Sequence, residues 1–576
     1  MAIWNVKEII EPEGLEEIKI DLIEKVKKFK SYRQKLNRIN EKTFIEIIQL
    51  KENIIKLINR LSSYTFLQTV EDTSNIKNNA LENEISNLIT NLVNEMIFFN
   101  LWFKQIDNKL ANKVIKSSGK SAYYFKSIRK KKKYPLNEDI EKIINLKDLS
   151  GNDQLNKLYD IITNRYKFKF NNKKLTLEEL KVYIRSIKRN ERKTAYDLIL
   201  NKYKEEEAIL GEIYYSIVLD YYNENIKTRN FKSPINVRNI SNDVSDKSVE
   251  AMLNSVKKNI SLFHEYFKIK GKIIGRKIDR YDIYTNLKEE RKIYSYNKSK
   301  EIVLQTYSNF SNTFYDNARL IFDKKHVHSE IKKNKRSGAF CLSVNNDYLP
   351  YIMLNHVDTL DCLFTMIHEL GHGIHAILSN KNPEVLSSSS LPLAETASIF
   401  SEMLLSQKLL NESNNEIKKE ILIKMIDSEY ASIIRQTYFT LFEIEAHEKI
   451  PKGASIKDLN DIYLKLLKEQ FGNNFKIDDK FKHEWKYIPH IYHSPFYCYS
   501  YAFANLLVLA LYDIYLKEPE NFKIKFITLL SKGSTNSPKN LLKEIGIDIE
   551  NEKFWDRGFN IIEKQINELK KLINFS

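Results

Sequence analysis

Cysteine, glycine and proline are all scarce in this sequence, and each shortage narrows the choice of fold. Its 576 residues include only 3 cysteines, 14 glycines and 11 prolines. Cys341, Cys362 and Cys498 have no C-x-x-C spacing, which argues against a disulfide framework or a thiolate zinc site and suits a reducing compartment. Because glycine and proline punctuate turns, their scarcity favours long helices over a many-stranded β architecture.

The sequence also lacks long hydrophobic runs. The N-terminal segment MAIWNVKEIIEPEG has no apolar core of the kind that a signal peptide requires. No run of 18 or more apolar residues occurs, so no segment reads as a membrane span. We therefore expect a cytoplasmic protein with no membrane partner.

Positive charge is abundant, with a formal net charge of +17. The densest basic cluster is the run 129–133, Arg-Lys-Lys-Lys-Lys, but no nucleic-acid fold signature accompanies it. We interpret the excess as a solvated, lysine-rich surface and expect no nucleic-acid partner. A non-enzymatic basic binding protein remains as an alternative.

Hydrophobic periodicity predicts a mainly α protein in three consecutive regions. Residues 1–113 have apolar residues three and four apart, which indicates long amphipathic helices. Residues 114–200 are more broken, although Thr176 with the glutamates after it forms a helix-capping signature. Residues 201–576 are again helical, except for two apolar runs at 339–355 that flank Asn345-Asn346-Asp347 and predict a β-hairpin.

The stretch TMIHELGHGIHAIL holds three of the eleven histidines. Within it, His368, Glu369 and His372 form an H-E-x-x-H motif. Residues four apart share one face of a helix, so both imidazoles can reach a single zinc ion. Glu369, next to the first histidine, is then placed to take a proton from a zinc-activated water.

A zinc site of this kind needs a third protein ligand from a second element. A metzincin would have glycine at 375 and histidine at 378, whereas this chain has His375 and Leu378, so that class is excluded. A gluzincin uses a downstream glutamate, and the candidates are Glu384, Glu395 and Glu402. We favour Glu395, because a charge in an otherwise apolar helical pattern is costly unless it is paired or binds metal. Glu402 is interpreted as a supporting carboxylate or an ordinary helix-end residue.

Two further histidines have both a functional and a structural interpretation. His375 lies one turn beyond His372, and we expect it to be a packed or supporting residue because three ligands already complete the set. His356 follows the predicted hairpin, and it either lines the cleft or belongs to the core.

A second unusual stretch, PHIYHSPFYCYSYAFANLLVLALY, crowds histidines and tyrosines ahead of an apolar helix. Tyr497 and Tyr501 are four residues apart and share a helix face once the helix has begun. Together with His490, they are candidate hydrogen-bond donors to the oxyanion of a tetrahedral intermediate. The alternative is that these tyrosines only pack in the core.

These motifs together resemble peptidase family M3, in its oligoendopeptidase F branch. The segments that carry the resemblance are KRSGAFC, PYIMLNH, IHELGHGIHAIL, LAETASIFSE and HIYHSPFYCYSYA. Residues 114–200 resemble the N-terminal domain of the branch, and residues 201–576 its catalytic domain. The resemblance implies a two-lobed helical zincin with a deep central channel and a small β-sheet beside the active-site helix.

The resemblance also implies an activity, hydrolysis of internal bonds of short peptides, and one zinc ion per chain. It implies His368, His372 and Glu395 as ligands and Glu369 as general base. By analogy, His490, Tyr501 and, with its role less defined, Tyr497 contact the substrate carbonyl.

Within this hypothesis, the hairpin strand that ends near Leu354 lines the cleft and pairs with the backbone of the peptide. A zinc exopeptidase of the gluzincin class, either an aminopeptidase or a carboxypeptidase, is the alternative activity. The sequence does not predict an oligomeric state.

Overall fold

The structure is a computed structural model that describes residues 3–134, 136–287, 293–472 and 475–574. The chain forms two compact units of three segments each. The first unit consists of Met1–Lys133, Glu290–Lys408 and Ile514–Ile547, and the second of Tyr134–Glu289, Leu409–Asp513 and Asp548–Ser576. The domain boundaries at 113 and 200 stay predictions, because these units are grouped by contacts rather than by consecutive sequence.

The first unit contains helices from all three of its segments. They are Leu15–Ser31, Glu41–Glu71, Ile76–Gln105, Asn108–Ser117, Ala122–Lys130, Tyr296–Phe310, Asn312–Asp323, Leu360–Ser379, Glu384–Ser387, Leu391–Ala394, Pro519–Leu530 and Pro538–Glu544. Its long N-terminal helices pack through aromatic and aliphatic residues such as Phe44, Phe99 and Phe125.

The second unit is also helical. Its helices are Glu138–Ser150, Asn152–Asn164, Leu177–Ile184, Arg189–Glu205, Glu207–Tyr221, Pro234–Ser241, Asp246–Lys258, Ser261–Ile274, Asn415–Glu429, Arg435–Lys449, Ile456–Phe471, Pro489–His493 and Glu552–Leu572. Two further helices, Thr396–Glu412 and Tyr499–Lys517, contain positions where the chain passes from one unit to the other. The mainly α fold is therefore confirmed.

Several helices begin where side chains satisfy the free amides of the first turn. At Thr176 the capping box is complete, because its hydroxyl accepts from the Glu179 amide while the Glu179 carboxylate accepts from the Thr176 amide. The side chains of Asp107 and Thr359 also accept a hydrogen bond from a first-turn amide of their helices, without the reciprocal bond. The capping signature read from the sequence is thus confirmed at Thr176.

A small β-sheet lies beside the helix that carries the H-E-x-x-H motif. It is distinct from a two-stranded hairpin earlier in the chain, in which β1 (Phe168–Phe170) pairs with β2 (Lys173–Leu175). In the sheet, β3 (Val327–His328), β4 (Phe340–Leu342) and β5 (Tyr351–Met353) are arranged in the order β3-β5-β4. β4 and β5 are antiparallel, which confirms the hairpin, and β3 runs parallel to β5.

The expectation that the strand ending near Leu354 pairs with a peptide is wrong. That strand is β5, which is buried and has a neighbour on each side. The edge strands are β3 and β4, and β4 pairs with no other described strand on its far side. The Ile352 amide donates to His326, just before β3, and the Leu354 amide donates to His328 within it. The Tyr351 and Met353 peptide groups therefore face β4. By alternation, the peptide groups of Cys341 point away from the sheet at its free edge.

Among the described residues, one helix has the length and apolar composition of a membrane span. It is Tyr499–Lys517, and 72% of its most apolar window is buried inside the protein. Such burial is typical of a core helix, and residues Ala502 to Leu511 supply much of it.

Candidate metal centre

The motif helix, Leu360–Ser379, is fixed by the packing of its apolar face. Met366, Ile367, Leu370 and Ile374 are completely buried. The two motif histidines share another face of the helix, because residues at i and i+4 lie one turn apart. Both histidines remain partly exposed. Packing of the apolar residues therefore decides which way the imidazoles point.

Three donor atoms meet beside this helix in a nearly equilateral triangle. His368 Nε2 and His372 Nε2 lie 3.2 Å apart, and Glu395 Oε2 lies 3.4 and 3.3 Å from them, respectively. A tetrahedral zinc ion with ligand bonds of about 2.0–2.2 Å separates neighbouring donors by about 3.3–3.6 Å. The size of the triangle and its two-imidazole, one-carboxylate chemistry therefore fit a single zinc ion.

Glu395 occupies the junction between the short helix Leu391–Ala394 and the helix Thr396–Glu412. The Ser398 hydroxyl donates to Glu395 Oε2 over 2.8 Å and so orients the carboxylate. Although burial raises the pKa of Glu395, the adjacent imidazoles of His368 and His372 bring it well below the ordinary value. Sequence reasoning missed Ser398, whose only signal was its i+3 spacing from the glutamate.

A glycine brings the Glu395 segment close to the motif helix. A Cβ atom added at Gly371 would lie 2.6 Å from Ser398 Cα and 2.8 Å from the Ala397 carbonyl oxygen. Contacts that short do not occur between real Cβ atoms and backbone, so a larger residue would push the two helices apart. Gly371 of the motif is therefore required by packing next to the candidate ligand.

Glu402 supports the first histidine of the motif. Its Oε1 atom lies 2.5 Å from His368 Nδ1, so the other ring nitrogen is the one directed at the donor triangle. Burial acts to lower the pKa of His368, but Glu395 and Glu402 together raise it well above the ordinary value. Of the two interpretations open from sequence, the supporting carboxylate is the one that the contact favours.

Glu369 lies in a cavity of about 470 Å³ beside the three donor atoms. The cavity is lined by β4 and the motif helix, and by the serine-rich segment 387–389. The Glu369 side chain is largely buried, with 7% of the residue exposed, and burial raises its pKa above the ordinary value. A raised carboxyl pKa beside a cavity is typical of a proton-transfer group.

The remaining candidates near the motif have structural partners. His375 is buried with Ser389 Oγ 2.7 Å from its Nε2 atom, and burial lowers its pKa to about 4, so the ring is neutral. Glu384 accepts from the Asn59 side chain and the Asn346 amide. His356 is buried against the Tyr294 carbonyl, 2.9 Å away, which favours the core interpretation.

In the second unit, His490, Tyr497 and Tyr501 form one partly exposed cluster. The Tyr501 hydroxyl lies 3.4 Å from His490 Nε2. The Tyr497 ring stacks over His490 at 6.0 Å and meets Tyr501 edge-on at 5.3 Å. Burial, His493 and Arg435 lower the pKa of His490, so its imidazole is neutral at neutral pH.

Two neighbouring tyrosines make hydrogen bonds in the protein interior instead. Tyr492 is fully buried, stacks on Tyr159 at 4.0 Å and directs its hydroxyl to the Leu210 carbonyl. Tyr499 is fully buried and accepts a hydrogen bond from the Asn242 amide over 2.8 Å. The sequence could not separate these tyrosines, whereas burial does, because Tyr492 and Tyr499 are enclosed while Tyr497 and Tyr501 are partly exposed.

The chain is similar to known peptidases in sequence. The model of peptidase family M3 matches residues 182–561. Oligoendopeptidase F of Lactococcus lactis subsp. cremoris is 28% identical over 390 residues, which cover 67% of this chain and 64% of that protein. An oligoendopeptidase F homolog of Borreliella burgdorferi is also 28% identical, over 95% of this chain and 94% of the other.

Solved structures show the same fold. A candidate peptidase from Chlamydophila abortus has a TM-score of 0.87 at 23% identity, covering 99% of this chain and 98% of that one. Oligoendopeptidase-F from Enterococcus faecium has a TM-score of 0.73 at 20% identity, covering 98% and 99% of the two chains.

Proposed function

Because the chain belongs to peptidase family M3, we propose that it is a zinc-dependent oligoendopeptidase that cleaves internal bonds of short peptides. The names of its oligoendopeptidase F relatives support the substrate class. The observation that carries the proposal is the donor triangle of His368, His372 and Glu395 beside buried Glu369.

His368, His372 and Glu395 would hold one zinc ion in this proposal. A zinc ion at this position supplies Lewis acidity, which polarises a carbonyl group and lowers the pKa of water. Ser398 and Glu402 keep the carboxylate and one imidazole in position, and such supporting contacts commonly change metal affinity by about 10- to 100-fold.

Glu369 is the proton carrier of the proposed reaction. Its carboxylate takes a proton from the attacking water and later gives that proton to the departing amine. The same group can serve both steps, because giving the proton to the amine regenerates the carboxylate.

β4 is the proposed docking edge for the peptide backbone. The Cys341 amide and carbonyl point outwards at the edge, and Cys341 lines the same cavity as Glu369. A substrate in extended conformation gains backbone hydrogen bonds at such an edge irrespective of its side chains. This mode suits an enzyme that accepts peptides of varied sequence.

His490 and Tyr501 are proposed to stabilise the oxyanion of the tetrahedral intermediate, with Tyr497 stacked behind His490. Their chemistry supports this role, because a phenol and a neutral imidazole are both hydrogen-bond donors. The family resemblance of their sequence segment is the second support.

The test uses an internally quenched peptide of about ten residues, acetylated at its N-terminus and amidated at its C-terminus. Cleavage at an internal bond, lost with a zinc chelator and restored by added Zn²⁺, is the expected result. An exopeptidase would require a free terminus and leave this peptide intact. Failure to cleave the blocked peptide would contradict the proposal, and cleavage of the same peptide only when its termini are free would indicate the exopeptidase alternative.

A further inference from the structure

The loop of residues 494–498 lies among the candidate oxyanion residues of the second unit. His490 lies just before it, in helix Pro489–His493, and Tyr497 lies within it. Tyr501 follows in the first turn of helix Tyr499–Lys517. The conformation of this loop therefore determines how the two tyrosines are presented relative to the histidine.

One residue of the loop has a backbone conformation that its side chain disfavours. Phe496 has φ of +59°, in the left-handed region that suits glycine or asparagine, and it is completely buried. A bulky residue with positive φ is uncommon and persists only where surrounding contacts hold it. The loop has no glycine that could adopt this conformation freely.

Two side chains from other helices supply those contacts. The Phe496 amide donates to Glu443 Oε1 over 2.6 Å in the interior. Arg238 donates to the Pro495 carbonyl over 3.0 Å and to the Ser494 hydroxyl over 2.8 Å. Three consecutive residues of the loop are thus fastened to helices Arg435–Lys449 and Pro234–Ser241.

Glu443 is an unusual residue to find at this position. It is completely buried, and its second oxygen has no hydrogen-bond partner among the described residues. Burial raises its pKa to about 8, despite the Phe496 amide and the nearby Arg238. Keeping an acidic group in such surroundings is costly, which indicates a use beyond filling space.

We propose that Glu443 and Arg238 are positioning residues that hold the loop 494–498, with its left-handed Phe496, and thereby set Tyr497 and Tyr501 against His490. The inference rests on the proposed function for its catalytic consequence. Its structural part, the fastening of the loop, is independent of any activity.

Four variants separate positioning from general stability. Glu443→Leu removes the acceptor of the Phe496 amide, whereas Glu443→Gln keeps an acceptor oxygen at the same place. Glu429→Leu is the matched control, because Glu429 is also buried with a pKa raised to about 8 but bonds only to Gln565 among the described residues. Arg238→Gln weakens the hydrogen bonds to Pro495 and Ser494. Because Arg238 is only half-buried, this variant replaces Glu443→Leu as the test if Glu443→Leu does not fold.

The first readout is amide hydrogen exchange of the segment 494–501. Glu443→Leu or Arg238→Gln should accelerate its exchange by at least tenfold, while Glu443→Gln and Glu429→Leu leave it near the wild-type rate. Unchanged exchange in Glu443→Leu and Arg238→Gln, or equal acceleration in Glu429→Leu, would overturn the inference whether or not the chain cleaves peptides.

The second readout is steady-state cleavage of the quenched peptide. Because a misplacement of about 1 Å costs up to roughly 100-fold in rate, Glu443→Leu should lower kcat at least tenfold with KM nearly constant, and Glu443→Gln should restore most of it. If exchange rises but kcat does not fall, the loop is fastened as described but the tyrosines it presents are not catalytic.

Discussion

Glu369 and Glu384 are two glutamates of similar burial whose surroundings lead to different roles. Their exposed fractions are 7% and 8%. Glu384 is tied to Asn59 and Asn346 and fastens a loop. Glu369 instead faces a cavity with a pKa raised by burial. Burial alone therefore does not distinguish the proposed catalytic carboxylate from a structural one, whereas the position of Glu369 on the cavity does.

Glu369→Gln tests the proton-transfer role. The amide keeps the size and packing of the side chain but takes up no proton, so kcat should fall by about 10²- to 10⁴-fold. Zinc content should remain at the wild-type level, because the residue is not a proposed ligand. Peptide turnover and elemental analysis of the same sample provide the measurement, and near-normal turnover would disprove the assignment.

Tyr501→Phe tests the oxyanion contact. Removing one preorganised donor commonly lowers kcat by about 10²- to 10³-fold, and we expect a loss of that order in Tyr501→Phe. Tyr499→Phe is the control, since that hydroxyl bonds Asn242 in the interior and should affect stability rather than turnover. Equal turnover in the two variants would reduce Tyr501 to a packing residue.

Between elements, the closest approach in the candidate centre is that of the motif helix to helix Thr396–Glu412. Gly371→Ala would bring a methyl group within 2.6 Å of the Ser398 backbone, which cannot move aside without displacing Glu395. Overpacking of this kind costs about 1–3 kcal/mol, and we expect zinc affinity to fall by at least tenfold, measured by chelator competition.

Gly373→Ala is the matched control on the same helix. Its nearest contact would be the terminal carbon of Ile321 at 2.7 Å, the end of a flexible side chain. That side chain can rotate away, so zinc affinity should change much less than in Gly371→Ala. Similar losses in both variants would mean that helix packing in general, and not the contact beside Glu395, controls the site.

Helix Asn415–Glu429 ends in a buried carboxyl that makes stability depend on pH. Burial raises the pKa of Glu429 to about 8, above its value of about 4.3 in an unfolded chain. Between these values the folded state holds a proton that the unfolded state releases, so this group lowers the free energy of unfolding as pH rises.

Glu429→Gln should remove that dependence while keeping the acceptor for Gln565. We expect the Tm of the variant minus the Tm of the wild type to increase from pH 5 to pH 9. Thermal unfolding at several pH values measures it. A constant difference over that range would show that Glu429 does not change its protonation on unfolding.

At the scale of the whole molecule, the predictions that succeeded depend on residues close together in sequence. The spacing of His368 and His372 correctly placed both on one helix face, and Glu395 lies beside them, whereas their role as zinc ligands stays a prediction. The hairpin around residues 345–347 and the cap at Thr176 are equally local. Scarce glycine and proline correctly indicated a helical fold.

The predictions that failed or stayed open depend on contacts between distant segments. The central position of β5 in the sheet depends on its pairing with β3. Because β3 has only two residues, it shows no alternation of apolar and polar residues that the sequence could indicate. The hydroxyls of Tyr492 and Tyr499 bond to Leu210 and Asn242, which lie over 200 residues away in the sequence. The contact of Phe496 with Glu443 likewise had no local signal.

Metal content tests the central claim most directly. Elemental analysis of the wild-type protein, set beside a His372→Ala variant purified in the same way, should give one zinc per chain in the first and a small fraction of that in the second. Peptide cleavage should follow the zinc content and disappear with a chelator. Full cleavage by zinc-free protein, or equal zinc in both proteins, would contradict the account.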